Sequence, residues 1–107
     1  MKLYRTVSTN EFEDYTQFKQ FRVARNTLEG KQFFKTEAGV KEFILDAKKQ
    51  SYYPPYSHLL IVEVDSECLS NIQFDEQELD RFDAITIQEI NLSAFNNCIK
   101  FVQLYDI

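Results

Sequence analysis

Leu28-Glu29-Gly30-Lys31-Gln32-Phe33-Phe34-Lys35-Thr36-Glu37-Ala38 writes a turn, a strand and a helix start into one short stretch. Glu29-Gly30 has turn chemistry, Lys31 to Lys35 reads as a strand bearing two rings, and Thr36 is the N-cap of a helix predicted to run to about Lys49. Within that helix Val40, Phe43, Ile44 and Ala47 fall at i, i+3, i+4 and i+7, opposite Lys41, Glu42, Asp46 and Lys48. Glu37 in the first turn and Lys48-Lys49 in the last match the helix dipole. An amphipathic helix of this kind is expected to lie against a sheet.

Towards the N-terminus, Leu3, Arg5 and Val7 alternate with Tyr4 and Thr6, the period of a strand. An Arg between two apolar residues on one strand face either snorkels to the sheet edge or is held near a ligand. Ser8 with Glu11, and Asn10 with Glu13, have capping-box spacing. Phe12, Tyr15 and Phe18 then recur on one side of a helix predicted from about Asn10 to Gln20. Phe21 and Val23 continue as an extended segment, while Arg22, Arg25 and Lys31 bring positive charge towards the opening stretch.

Towards the C-terminus, Ser51-Tyr52-Tyr53-Pro54-Pro55-Tyr56 is a stiff aromatic loop, either a recognition surface or a cover for one end of the core. His58 to Val64 is a continuous apolar run that predicts a strand covered on both faces, in the middle of the sheet. Residues 65 to 83 are acidic and turn-like, a short helix or an exposed loop. Ala84 to Ile90 alternates as a strand that includes Glu89, Ser93 to Cys98 predicts one helical turn, and Ile99 to Tyr105 a closing strand.

These elements fit a chain of 107 residues forming one domain, residues 1 to 107, with 44% hydrophobic and 27% charged residues. Ten Phe and six Tyr without Trp imply a core built on rings. No apolar run is long enough to cross a bilayer and the first residues lead straight into structure, so a cytoplasmic protein without membrane attachment is expected. Cys68 and Cys98 stand far apart with no CxxC and no neighbouring His, which argues against a metal site and favours two reduced buried thiols over a disulfide. The net charge of −5 hides an asymmetry. Residues 1 to 50 carry ten Lys/Arg against seven Asp/Glu, and residues 51 to 107 carry two against ten, so the halves stand at +3 and −8. A net acidic chain is a poor partner for phosphate backbones, so nucleic-acid binding is not expected.

With two glycines, Gly30 and Gly39, neither a P-loop nor a GxGxxG motif can be built. His58 is the only histidine; a Ser-His-Asp hydrolase stays open but a structural histidine is favoured.

What remains is Arg5 on the first strand, Phe33-Phe34-Lys35-Thr36 after the turn, and carboxylates late in the chain. Here the sequence resembles the small, toxin-type members of the ADP-ribosyltransferase-like fold over residues 3 to about 64. Leu3-Tyr4-Arg5-Thr6-Val7-Ser8 is similar to their opening strand, whose Arg or His holds the nicotinamide dinucleotide. Leu28 to Ala38 is similar to their second signature, in which a strand with aromatic and hydroxyl residues leads into a helix. The resemblance implies NAD as cofactor, with Arg5 on the pyrophosphate, Phe33 or Phe34 stacked on nicotinamide and Thr36 beside them. It also implies a late carboxylate, Glu78 of Glu76-Gln77-Glu78 or Glu89, to stabilise the positive charge that develops at the ribose.

The expected architecture is therefore α+β, a mainly antiparallel sheet with two main helices packed on it, in a minimal ADP-ribosyltransferase-like arrangement. Two functions follow: an NAD-using transferase or glycohydrolase, or a non-enzymatic domain that binds a protein partner through the acidic C-terminal half or the Tyr52 to Tyr56 loop.

Overall fold

The computed structural model describes residues 1–23, 30–51, 55–79 and 81–107. In chain order the elements are β1 (Lys2–Ser8), α1 (Thr9–Phe18), β2 (Gly30–Phe34), α2 (Glu37–Gln50), β3 (Tyr56–Val64), α3 (Ser66–Ser70), β4 (Asp75–Leu79), β5 (Phe82–Gln88), α4 (Glu89–Asn97) and β6 (Ile99–Asp106). The strands form one six-stranded sheet in the order β4-β5-β2-β1-β3-β6, with every neighbouring pair antiparallel. The α+β architecture is the expected one.

Period-2 alternation sends successive side chains to opposite faces of the sheet, and each face has its own core. On the first face Leu3, Val7, Phe33, Leu60, Val62, Ile85 and Ile87 pack under Tyr15 of α1, Leu69 of α3 and Leu92 and Phe95 of α4. On the second, Tyr4, Phe34 and Ala84 pack under α2 through Val40, with Phe43 and Ile44 alongside. The spacing of Val40, Phe43, Ile44 and Ala47 therefore belongs to a helix that, among the described helices, covers this face alone.

Side-chain caps fix where helices begin. The Thr36 hydroxyl accepts from the Gly39 N–H at 3.0 Å, and the Asp65 carboxylate accepts from the Cys68 N–H at 2.8 Å. Ser8 accepts from the Glu11 N–H at 3.4 Å. The reciprocal half of that capping box is missing, because the Glu11 side chain is engaged elsewhere. Gly39 lets the first turn of α2 approach β5: a Cβ there would stand 2.8 Å from the Phe82 Cβ.

Several expectations need correction. The acidic segment after β3 is neither one short helix nor a loop; it supplies α3 and then β4, which pairs with β5 as a hairpin at the sheet edge. The run from His58 to Val64 lies one strand in from the opposite edge, and the middle of the sheet is β2 and β1. Glu89 is not in a strand. The alternation stops at Gln88, and Glu89 opens a helix that extends well beyond the single turn expected at Ser93. Cys68 and Cys98 are joined as a disulfide with their Cα atoms 5.5 Å apart, not held as thiols. Pairing of β3 with β6 brings them together: the Asp65 N–H donates to the Cys98 carbonyl at 2.9 Å, so a separation of 30 residues closes across two neighbouring strand ends. The expected turn at Glu29, the Arg25 charge, and Tyr52, Tyr53 and Pro54 of the aromatic loop lie outside the described residues.

Candidate functional site

Arg5 sits on β1 between Leu3 and Val7, facing the first core. Its Nε and Nη2 donate to the two Glu11 carboxylate oxygens at 2.6 and 2.8 Å, and its Nη1 donates to the Gln32 carbonyl at 2.8 Å. Lys31 of β2 closes the cluster, with its Nζ 3.2 Å from Glu11 Oε1. Burial raises the Glu11 carboxyl, but hydrogen bonding and charge from Arg5, with Lys31, outweigh it and hold the group below its ordinary value. Burial lowers the Lys31 ammonium, only partly countered by Glu11. Arg5 thus neither snorkels nor reaches into a cleft: each guanidinium nitrogen already has a protein acceptor. Glu11 and Lys31 were the partners that sequence reading missed. The one available signal was a Glu at capping-box spacing immediately after an Arg-bearing strand.

The other positions implied by the family resemblance do not gather around Arg5. The Phe33 ring is fully buried, packed edge-on against Phe21 and tilted against Phe95, with the Arg5 guanidinium 5.8 Å from its centroid. Phe34 points to the opposite face and packs against Phe43 of α2. Thr36 spends its hydroxyl as the α2 cap. Glu78 lies on the edge strand β4 opposite Asp83, and Glu89 is exposed in the first turn of α4. The cluster Arg5, Phe33, Phe34, Thr36, Glu78 and Glu89 is therefore divided between two faces and an edge.

His58 is also fully engaged. Its Nε2 lies 2.9 Å from Asp106 Oδ1, its Nδ1 2.7 Å from Ser57 Oγ, and its ring stacks on Phe12 with centroids 3.6 Å apart. Asp106 is thus paired with the nitrogen that a nucleophilic serine would need, which favours the structural role.

Four of the late carboxylates lie along the β4–β5 end of the sheet. Asp75, Glu76 and Glu78 occupy the outermost strand, with Asp83 across the hairpin from Glu78. Lys35 Nζ pairs with Glu76 Oε1 at 3.0 Å, and the Gln88 amide donates to Asp75 Oδ2 at 2.8 Å. A cavity of about 390 Å³ opens here, lined by Lys35, Glu76, Gln77, Glu78, Asp83 and Ala84. The buried Gln77 Nε2 has no hydrogen-bond partner among the described residues. A second cavity, also about 390 Å³, lies between α2 and the start of β3, with Ile44, Ala47, Tyr56 and Ile107 in its wall. The Tyr56 ring packs 5.4 Å from Phe43, so this described end of the aromatic loop covers the second core.

Among the described residues no three His, Cys, Asp or Glu side chains are grouped to hold a metal ion, and no helix is long and apolar enough to cross a membrane. No family model, curated protein or solved structure matched the chain.

Proposed function

We propose that the chain is a non-enzymatic interaction domain that holds a basic protein segment along the acidic β4–β5 edge. The observation that carries this reading is the placement of Asp75, Glu76 and Glu78 on the outermost strand, with Asp83 across the hairpin from Glu78 and a cavity lined by Glu76, Glu78 and Asp83. Exposed carboxylates in a row attract Lys and Arg side chains, and an edge strand offers a backbone ladder to an extended peptide.

The alternative of an NAD-using transferase has less support. It would need Arg5 released from Glu11 and Gln32, and an aromatic ring withdrawn from one of the two cores. A cytoplasmic setting was the expectation from sequence; the Cys68–Cys98 bond favours oxidising surroundings instead.

Titrating the protein with a labelled Lys/Arg-rich peptide tests the reading. Binding is expected to weaken with added salt and to be lost on replacing Asp75, Glu76 and Glu78 with Lys, while Arg5→Ala retains it at temperatures where the variant is folded. Binding unaffected by that charge reversal, or release of nicotinamide from NAD that disappears with Arg5→Ala, would overturn it.

A further inference from the structure

The sheet has two outer edges, and they are built in opposite ways. β4 is short and carries Asp75, Glu76 and Glu78, so two copies of it would repel. β6 is longer, Ile99–Asp106, and is the end strand of the sheet beyond β3. Three of its large apolar side chains are uncovered: Phe101, Leu104 and Tyr105 are 53%, 42% and 47% exposed. Long apolar edge strands are normally blunted by charge, proline or a bulge that turns them away. Here the register irregularity falls at Lys100, which the pairing skips between Ile99 opposite Val64 and Phe101 opposite Glu63. His58 to Glu63 pair regularly with Asp106 to Phe101, so the edge is regular from Phe101 to Asp106 and Lys100 stands at its bulged end.

The sequence of β6 is complementary to itself. In an antiparallel seam centred on Gln103, Lys100 of one copy faces Asp106 of the other, Phe101 faces Tyr105, Val102 faces Leu104, and Gln103 faces Gln103. Shifting this two-fold register by one step in either direction places Lys100 opposite Leu104 or removes it from Asp106 altogether, leaving both charges against apolar or unpaired positions. Asp106 is 95% exposed and uses one carboxylate oxygen on His58, so it retains capacity for a second partner. The pairs also respect the faces of the sheet: Val102 and Leu104 lie across from Val62 and Leu60 on the first face, and Phe101 and Tyr105 from Glu63 and Leu59 on the second.

We propose that two copies of this chain join antiparallel through β6, with Lys100 paired to the second copy's Asp106, so that one sheet runs through both. The dimer leaves the acidic β4–β5 edges at its two far ends. The proposal is independent of what those edges bind.

Sedimentation velocity on the full chain over a range of concentrations tests it. The expected species is a dimer, at twice the 12.7 kDa chain mass. Lys100→Asp should return it to monomer at concentrations where the unaltered chain is dimeric, because like charges then meet at both ends of the seam. Combining Lys100→Asp with Asp106→Lys should restore the dimer, since the swap recreates both pairs. Circular dichroism and thermal melts establish that both variants are folded; should the doubly altered chain not fold, Leu104→Lys, at another exposed seam position, takes its place and should give monomer. A monomeric unaltered chain, a dimer indifferent to Lys100→Asp and Leu104→Lys, or a β6 edge that pairs only with a different protein's strand would overturn the proposal.

Discussion

Arg5 grips Glu11 with two parallel hydrogen bonds of 2.6 and 2.8 Å, tying the first strand to the helix that follows it. Bidentate geometry makes this the strongest kind of surface-proximal ion pair, and Lys31 adds a second cation to the same carboxylate. Arg5→Ala removes the fork and leaves Glu11 with Lys31 alone. The side chains keep 17% and 20% of their surface, so the expected loss is about 2 kcal/mol, below the roughly 3–5 typical of a fully buried pair. Urea unfolding of the variant measures it; a loss under about 0.5 kcal/mol would mean that the pair behaves as an exposed one.

The same cluster sets an acid limit. Glu11 titrates lower in the folded protein than its ordinary value of 4.5, so the folded state binds fewer protons than the unfolded chain in that window. Its contribution is complete above the unfolded value and is lost as pH falls through the lower folded one. Stability curves measured from neutral pH down to strongly acidic solution should therefore drop below about pH 4.5, and Glu11→Gln should flatten that limb. An unchanged acid limb in Glu11→Gln would assign the drop to other carboxylates.

Local signals account for what was legible in the sequence. β1, β2, α1 and α2 were readable because their alternation, helical spacing and caps lie within a few residues of one another. The same alternation already separates Phe33 from Phe34, so at most one ring could ever share a face with Arg5. β4 was hidden because Asp75-Glu76-Gln77-Glu78 has the composition of a turn; it is a strand through pairing with β5, a property of its neighbour. The roles of Arg5 and of the cysteines depend on contacts across strands. From β2, Gln32 accepts from Arg5 and Lys31 pairs with Glu11, and the Cys68–Cys98 bond depends on the β3–β6 register. Spacing along the chain carries neither.

That bond closes 30 residues, a loop for which chain entropy gives about 3–4 kcal/mol of stabilisation. Reduction should lower the melting temperature by at least about 10 °C for a domain of this size. Mass spectrometry after alkylation confirms that both sulfurs were freed. An unchanged melt in fully reduced protein would show that the strand pairing alone holds the loop closed.

Thr36 separates capping from ligand binding in a single position. Its hydroxyl accepts from the Gly39 N–H, so Thr36→Ala should cost about 1 kcal/mol, whereas Thr36→Ser should cost little. If the hydroxyl also served a bound dinucleotide, added NAD would raise the melting temperature of the unaltered chain but not that of Thr36→Ala. We expect no NAD-dependent shift in either, with the alanine variant lower by the cap alone.

Helix ends offer a stabilising counterpart. Lys19 and Ser51 close α1 and α2 in the left-handed region, with φ of 56° and 51°. Side chains with a Cβ pay about 1 kcal/mol there, and glycine avoids that strain at some cost in unfolded-chain entropy. Lys19→Gly and Ser51→Gly should each stabilise the fold by about 0.5 kcal/mol, and, being at the ends of helices on opposite faces of the sheet, should add in the double variant. Thermal melts of the three proteins provide the comparison. A destabilising Ser51→Gly would mean that its side chain contributes more than the left-handed backbone costs.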